Sequence, residues 1–185
     1  MKRKKTEVDL HKIAKLIYAK KFEEAKALIP PEDRHLPLWV DCLLAKPCGC
    51  HPVIYTGPLL HFATRSRDIL EYLLDGGADI NLKDKYEYTP LHTAVCDNRE
   101  ECCELLLNRG ADIEIRSHWG STPLKTAKNY KYSKIVLLLE NHLVMMNLSG
   151  VIARGLTDGL AFSDFLVKGI YDPRLFIIVS QFAFK

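Results

Sequence analysis

Two unrelated motifs in this chain recur at the same interval. Thr89-Pro90-Leu91-His92-Thr93-Ala94 returns as Thr122-Pro123-Leu124-Lys125-Thr126-Ala127, thirty-three positions later. Gly77-Ala78-Asp79-Ile80 returns as Gly110-Ala111-Asp112-Ile113, again thirty-three positions later. A looser copy of the first motif, Pro58-Leu59-Leu60-His61-Phe62-Ala63, lies upstream. A unit this short cannot cover its own apolar face, so successive copies must stack on one another to make a core. The shared period therefore points away from a single closed core and towards a row.

Each part of the unit has a physical role. Thr followed by Pro opens a helix, because the hydroxyl caps free N–H groups and the ring pre-sets φ. Leu91, Ala94 and Val95 give a short helix with a small apolar face. Cys102, Cys103, Leu105, Leu106 and Leu107 give a second helix, apolar on its inner side. Gly110 ends that helix in the left-handed conformation, and Asn98 is suited to the bend between the two helices.

This helix–turn–helix followed by a Gly-Ala-Asp loop, "TPLHTAV" and then "LLLNRGADI", resembles the ankyrin-repeat family. The resemblance implies an all-α solenoid of stacked helix–turn–helix units with β-hairpin fingers. Three units are expected, 57–85, 86–118 and 119–142, making a repeat region of 57–142. In the first, Gly77 follows Ala63 by two positions fewer than Gly110 follows Ala94, which predicts a shortened "RSRD" turn. The third has Asn141-His142-Leu143 where Gly-Ala-Asp would stand, so no standard finger should follow.

Residues 1–56 are read as a degenerate N-terminal helix pair plus an insertion. "VDLHKIAKLIYAKKFEEAKALI" has helical spacing on both sides of a Lys20-Lys21 bend, and such a unit would stack on the next as a cap. The insertion, Pro30 to Thr56, is expected to carry a short helix around Leu38–Leu44. Residues 143–185 form a helical C-terminal cap or docking tail. Its apolar patterns run from Leu160 to Val167 and onward from Asp172-Pro173.

Composition agrees with an ordinary globular protein, at 48% hydrophobic and 26% charged residues. The net charge of +3 owes much to Lys2, Arg3, Lys4 and Lys5 and is too small to point to nucleic acid. No apolar segment follows that basic opening as a signal peptide would require. The apolar run from Leu175 towards Phe184 is broken by Ser180 and Gln181, well short of the roughly 20 residues that span a bilayer. Six cysteines without a secretion signal suggest reduced thiols and a cytoplasmic or nuclear location.

Little in the chain suggests catalysis. Cys48, Cys50 and His51, with Cys42 nearby, are weak metal candidates, because the two-residue spacer of zinc-binding Cys pairs is missing. No cofactor is expected. Cys96, Cys102 and Cys103 fall at core positions. The resemblance implies that His61 and His92 hydrogen-bond loop backbone and tie neighbouring units together. There is no phosphate-binding Gly-rich loop, no nucleophile elbow and no paired acid–base carboxylates, so an enzyme is not expected.

What remains is a surface. Tyr86 and Trp119 fall at the tips of successive fingers, with Tyr88 matched to Ser121 and Lys85 to His118. Arg65, Asp97, Asn129 and Tyr130 are expected to face the groove. The two tip rings could project towards a partner or fold back on their own fingers. Glu87 replaces the Gly that Gly120 supplies, which predicts a less tightly turned tip at Tyr86. Asn81, eight residues after Leu73 and behind Asp79-Ile80, resembles the target of an asparaginyl hydroxylase; the alternative is a loop Asn bonded to backbone.

The leading expectation is a non-catalytic, monomeric adaptor that binds another protein through finger tips and groove. Two alternatives stay open. One is a substrate-recognition subunit recruited through its C-terminal tail. The other is a zinc- or nucleic-acid-associated regulatory protein using Cys48, Cys50, His51 and the basic N-terminus.

Overall fold

The computed structural model describes residues 9–36, 38–44 and 53–157. The chain divides into two compact units, Met1–Leu138 and Leu139–Lys185. In the first unit, helices come in pairs. They are α1 (Leu10–Tyr18) with α2 (Phe22–Leu28), α3 (Leu59–Ala63) with α4 (Arg67–Asp75), and α5 (Pro90–Cys96) with α6 (Glu100–Asn108). The last two are α7 (Pro123–Asn129) and α8 (Ser133–Thr157). Helices α1, α3, α5 and α7 pack consecutively in one row, and α2, α4 and α6 in a second. The two Thr-Pro-Leu segments thus lie in a common layer, as the period requires.

The core runs along this double row. Ile13, Ala14 and Ile17 of α1, Ile69 and Leu70 of α4, Leu91, Ala94 and Val95 of α5, and Leu106 of α6 are all buried. Each large side chain contributes about 1.5–3 kcal/mol of burial, and none could find that cover within its own pair. The caps follow the sequence. Thr89 accepts from the His92 N–H at 3.4 Å, and Thr122 from the Lys125 N–H at 3.3 Å. Asp9 does the same for α1, accepting from Lys12 N–H at 2.9 Å.

The bends are left-handed where the sequence placed them, at Lys20 (φ 61) and Asn98 (φ 54), and also at Lys131 (φ 59). Gly77 (φ 86) and Gly110 (φ 84) close α4 and α6. The first repeat, however, is not shortened in its turn. Three residues separate α3 from α4 (64–66), just as three separate α5 from α6 (97–99). The missing length comes out of the inner helix, which has 5 residues in α3 and 7 in α5. No left-handed residue is needed there, and extended Ser66 (φ −137) leads directly into α4.

The expected helix around Leu38–Leu44 is a strand instead. β1 (Trp39–Leu44) pairs antiparallel with β2 (Val53–Pro58), Trp39 opposite Pro58 and Leu44 opposite Val53. Val53-Ile54-Tyr55-Thr56 is a run of β-branched and aromatic residues that favours a pleated partner over a helix. The hairpin occupies the place of a finger between α2 and α3. Thirty residues (29–58) fill this connection, against fourteen (76–89 and 109–122) in each of the next two. This longer connection makes a two-stranded ladder, and β1 rests on α1. The later fingers are closed by single turns. The third repeat has no finger after it among the described residues, because α8 continues through Asn141-His142-Leu143 to Thr157. The tail patterns at Leu160–Val167 and after Asp172-Pro173 lie outside the described residues. No described helix is long and apolar enough to cross a membrane.

Candidate binding surface

The two buried imidazoles fix the fingers from which the surface is built. His61 is 1% exposed and His92 is 0% exposed. Nε2 of His61 donates to the Leu82 carbonyl (2.9 Å), and Nε2 of His92 to the Ser121 carbonyl (2.9 Å). A carbonyl can only accept, so the Nε2–H tautomer is assigned in both rings. Nδ1 of His92 then accepts from the Thr89 N–H at 3.2 Å, closing a reciprocal cap. Nδ1 of His61 faces the Thr93 hydroxyl at 3.0 Å. Burial is the main cause that holds both imidazoles below their usual pKa, so they stay neutral. With both nitrogens of each ring engaged, His61 ties the Leu82 loop to Thr93 of the next repeat, and His92 ties its own helix cap to the next finger at Ser121.

The finger turns are matched. Asp84 N–H donates to the Tyr88 carbonyl at 2.9 Å, and Ser117 N–H to the Ser121 carbonyl at 3.0 Å. Glu87 does not loosen its tip: it adopts φ 59, beside φ 67 for Gly120. The strain of a left-handed Glu is offset by Asp84, whose buried carboxylate accepts from Tyr86 N–H (2.8 Å) and Tyr88 N–H (2.9 Å). The two fingers are joined to each other by His118 N–H donating to the Tyr86 carbonyl at 3.0 Å.

These turns bring the rings together. Tyr86 and Trp119 have centroids 5.5 Å apart at 30°, and Tyr88 lies 5.6 Å from Trp119 at 41°. His118 meets Trp119 edge-on at 5.8 Å, and Lys85 Nζ sits 4.9 Å from the centre of the Tyr86 ring. The rings do not fold back on their own fingers; they pack across from one finger to the next. Trp119 still exposes 59% of its surface and Tyr86 37%. Tyr88 is half-buried, and burial comes first, ahead of the charges of Cys96 and Tyr130, in raising its phenol pKa. Tyr130, 55% exposed, stacks on Tyr132 at 5.6 Å. Ser121, at the place of Tyr88, supplies a carbonyl rather than a ring.

The groove residues divide. Arg65 and Asp97 form an ion pair at 3.1 Å, each side chain 19% exposed, and the Arg65 guanidinium lies 4.5 Å from the centre of the Tyr18 ring. They hold each other rather than reaching into solvent. Asn129 and Tyr130, at the end of α7, are exposed. Asn81 accepts from Asp112 N–H at 3.0 Å through Oδ1, linking two loops. Its carboxamide oxygen is thus bonded to backbone. Cys102 and Cys103 are buried, their thiols pushed up to about 11 and about 12 by burial. Cys48, Cys50 and His51 lie outside the described residues, and no cluster of metal-ligating side chains occurs among the described ones.

Sequence reasoning missed three contributors. Tyr18 ends α1 beneath Arg65, Tyr132 backs Tyr130, and Asp84 anchors the second finger. Asp84 was the most accessible to inference. It stands one repeat period before Ser117, whose hydroxyl accepts from Ser121 N–H at 3.4 Å in the same role.

A family model described as ankyrin repeats (three copies) matches residues 16–117 and again 60–149, together well over half the chain. No curated protein matches it.

Proposed function

Since the chain belongs to the ankyrin-repeat family, whose repeats generally mediate protein–protein interaction, we propose that it is a non-catalytic binding module. Its contact surface is the aromatic ridge of Tyr86, Tyr88 and Trp119. One observation carries this reading: three rings from two fingers are already assembled, yet Trp119 remains 59% exposed. A rigid, preformed cluster offers large contact area with little further ordering cost, which is how aromatic hot spots work. The engagement of both nitrogens in His61 and in His92 supports a non-catalytic role for those imidazoles.

The test is recovery of partners by wild-type protein and by a Tyr86→Ala, Trp119→Ala double variant, with circular dichroism to show that both fold. Loss of the recovered partners in the double variant is expected. Equal recovery from both would reject the ridge as the interface.

A further inference from the structure

Helix α8 is apolar on two opposite sides. Ile135 and Leu139, one turn apart, are both fully buried, and Leu143 continues their side. Val144, Met145, Leu148, Val151, Ile152 and Leu156 fall on the other at helical spacing, i, i+1, i+4, i+7, i+8 and i+12. Polar residues seven apart separate the two sides, Glu140, Asn147 and Arg154 along one flank and His142 and Ser149 along the other. A surface helix buries one such stripe; a helix apolar on both sides needs cover on both. Where the second side begins, Leu137 is 51% exposed, and Asn141 parts it from the six that follow. Of those six, Val144 and Met145 are half-buried.

We propose that the chain's own segment 158–185 turns back and covers this second side of α8 from Val144 to Leu156. Both stretches belong to the compact unit Leu139–Lys185. Asp158-Gly159 follows α8 directly, a pair that favours a tight reversal. The reach is ample. Twenty-eight residues (158–185) extend about 40 Å even at the 1.5 Å rise of an α-helix, against about 18 Å from Val144 to Leu156. The segment is itself apolar, with Phe162, Phe165 and Leu166 before Pro173 and Ile177, Ile178 and Val179 after it, so it needs cover as much as α8 does. Its charges balance, Asp158, Asp164 and Asp172 against Lys168, Arg174 and Lys185, so nothing holds it off the single Arg154 of the stretch it covers. Joined to α8 at Thr157, it meets that side at an effective concentration of about millimolar, which a second copy or a separate protein does not reach.

The experiment uses the full chain with the photoreactive residue p-benzoylphenylalanine in place of Leu148, or of Asn147 on the polar flank as control. Chains of natural and 15N isotopic content are mixed in equal amounts, irradiated and mapped by mass spectrometry. Cross-links from position 148 should fall in 158–185 of the same isotopic chain and exceed those from position 147. Cross-links between chains of different isotopic content would assign this side of α8 to a second copy. Cross-links confined to residues before Leu139, or no excess over position 147, would leave it without the segment. Each of these results overturns the proposal. Hydrogen exchange gives an independent reading in the full-length Ile178→Asp, Val179→Asp variant. Amides of 144–156 should exchange about tenfold faster, while those of α5 and α6 keep their rates. Unchanged exchange in α8 overturns the proposal, and so does equal acceleration in α5 and α6, which would make the segment a support of the row rather than of α8.

Discussion

The second and third repeats open with nearly the same words and meet different surroundings. In the second, His92 and Val95 are wholly buried and the repeat is joined to the next finger through Ser121. In the third, the same places hold Lys125 and Lys128, both exposed, and the outer helix runs on where a finger would begin. In the second repeat an imidazole and a branched apolar side chain are buried at these places; in the third, two exposed ammonium groups stand there.

The sharpest way to break this comparison is to remove one buried and one exposed leucine. Leu106→Ala in α6, at 0% exposure, should cost about 3–4 kcal/mol in denaturant unfolding, while Leu137→Ala, 51% exposed, should change stability by about 0.5 kcal/mol or less. A similar loss for both would mean that the double row is not the continuous core described. Next comes the bridging position. His92→Ala orphans the Ser121 carbonyl and the Thr89 N–H and should cost about 2–3 kcal/mol, whereas Lys125→Ala at the matched place should be near neutral. Equal effects would erase the distinction between an inner and a terminal repeat.

A third prediction uses pH. Burial lowers the pKa of His61 and His92 from 6.5, so below that value the unfolded chain takes up protons that the folded chain refuses. Stability is then fully present above pH 6.5 and declines as pH falls below it, until the lowered folded-state pKa values are reached. Unfolding midpoints measured from neutral pH to about pH 5 should fall, and His61→Gln should flatten that slope. A midpoint that rises on acidification would contradict the neutral assignment. The smallest effect concerns the finger tips. Glu87→Gly should stabilise by about 0.5–1 kcal/mol by relieving the left-handed conformation, and Gly120→Ala should destabilise by a similar amount. Opposite signs at equivalent turns are the check.

The sequence disclosed most of the row and less of its departures. The period, the Thr-Pro caps, the bends at Lys20 and Asn98 and the missing finger after α8 starts were readable because each rests on local chemistry. The hairpin at Trp39–Leu44 was not, since a short apolar run flanked by prolines fits helix or strand until its partner at Val53–Pro58 is known. The first repeat's lost length was assigned to a turn because spacing counts residues without saying which element gives them up. At the surface, Tyr86 and Trp119 were found by alignment of the repeats. Their mutual packing and the Arg65–Asp97 pair were hidden, because side-chain direction depends on neighbours and not on register alone. Glu87 misled, since a buried carboxylate at Asp84 can hold a tight turn that composition would assign to Gly.

Native-state hydrogen exchange tests the underlying claim that each repeat is held by its neighbours. Amides of Val95 and Leu106 in the second repeat should exchange only through opening of the whole row. Those of Thr126 and Ala127 in α7 should exchange faster, through local opening at the end of it. Protection of α7 equal to or greater than that of α5 and α6 would contradict the account.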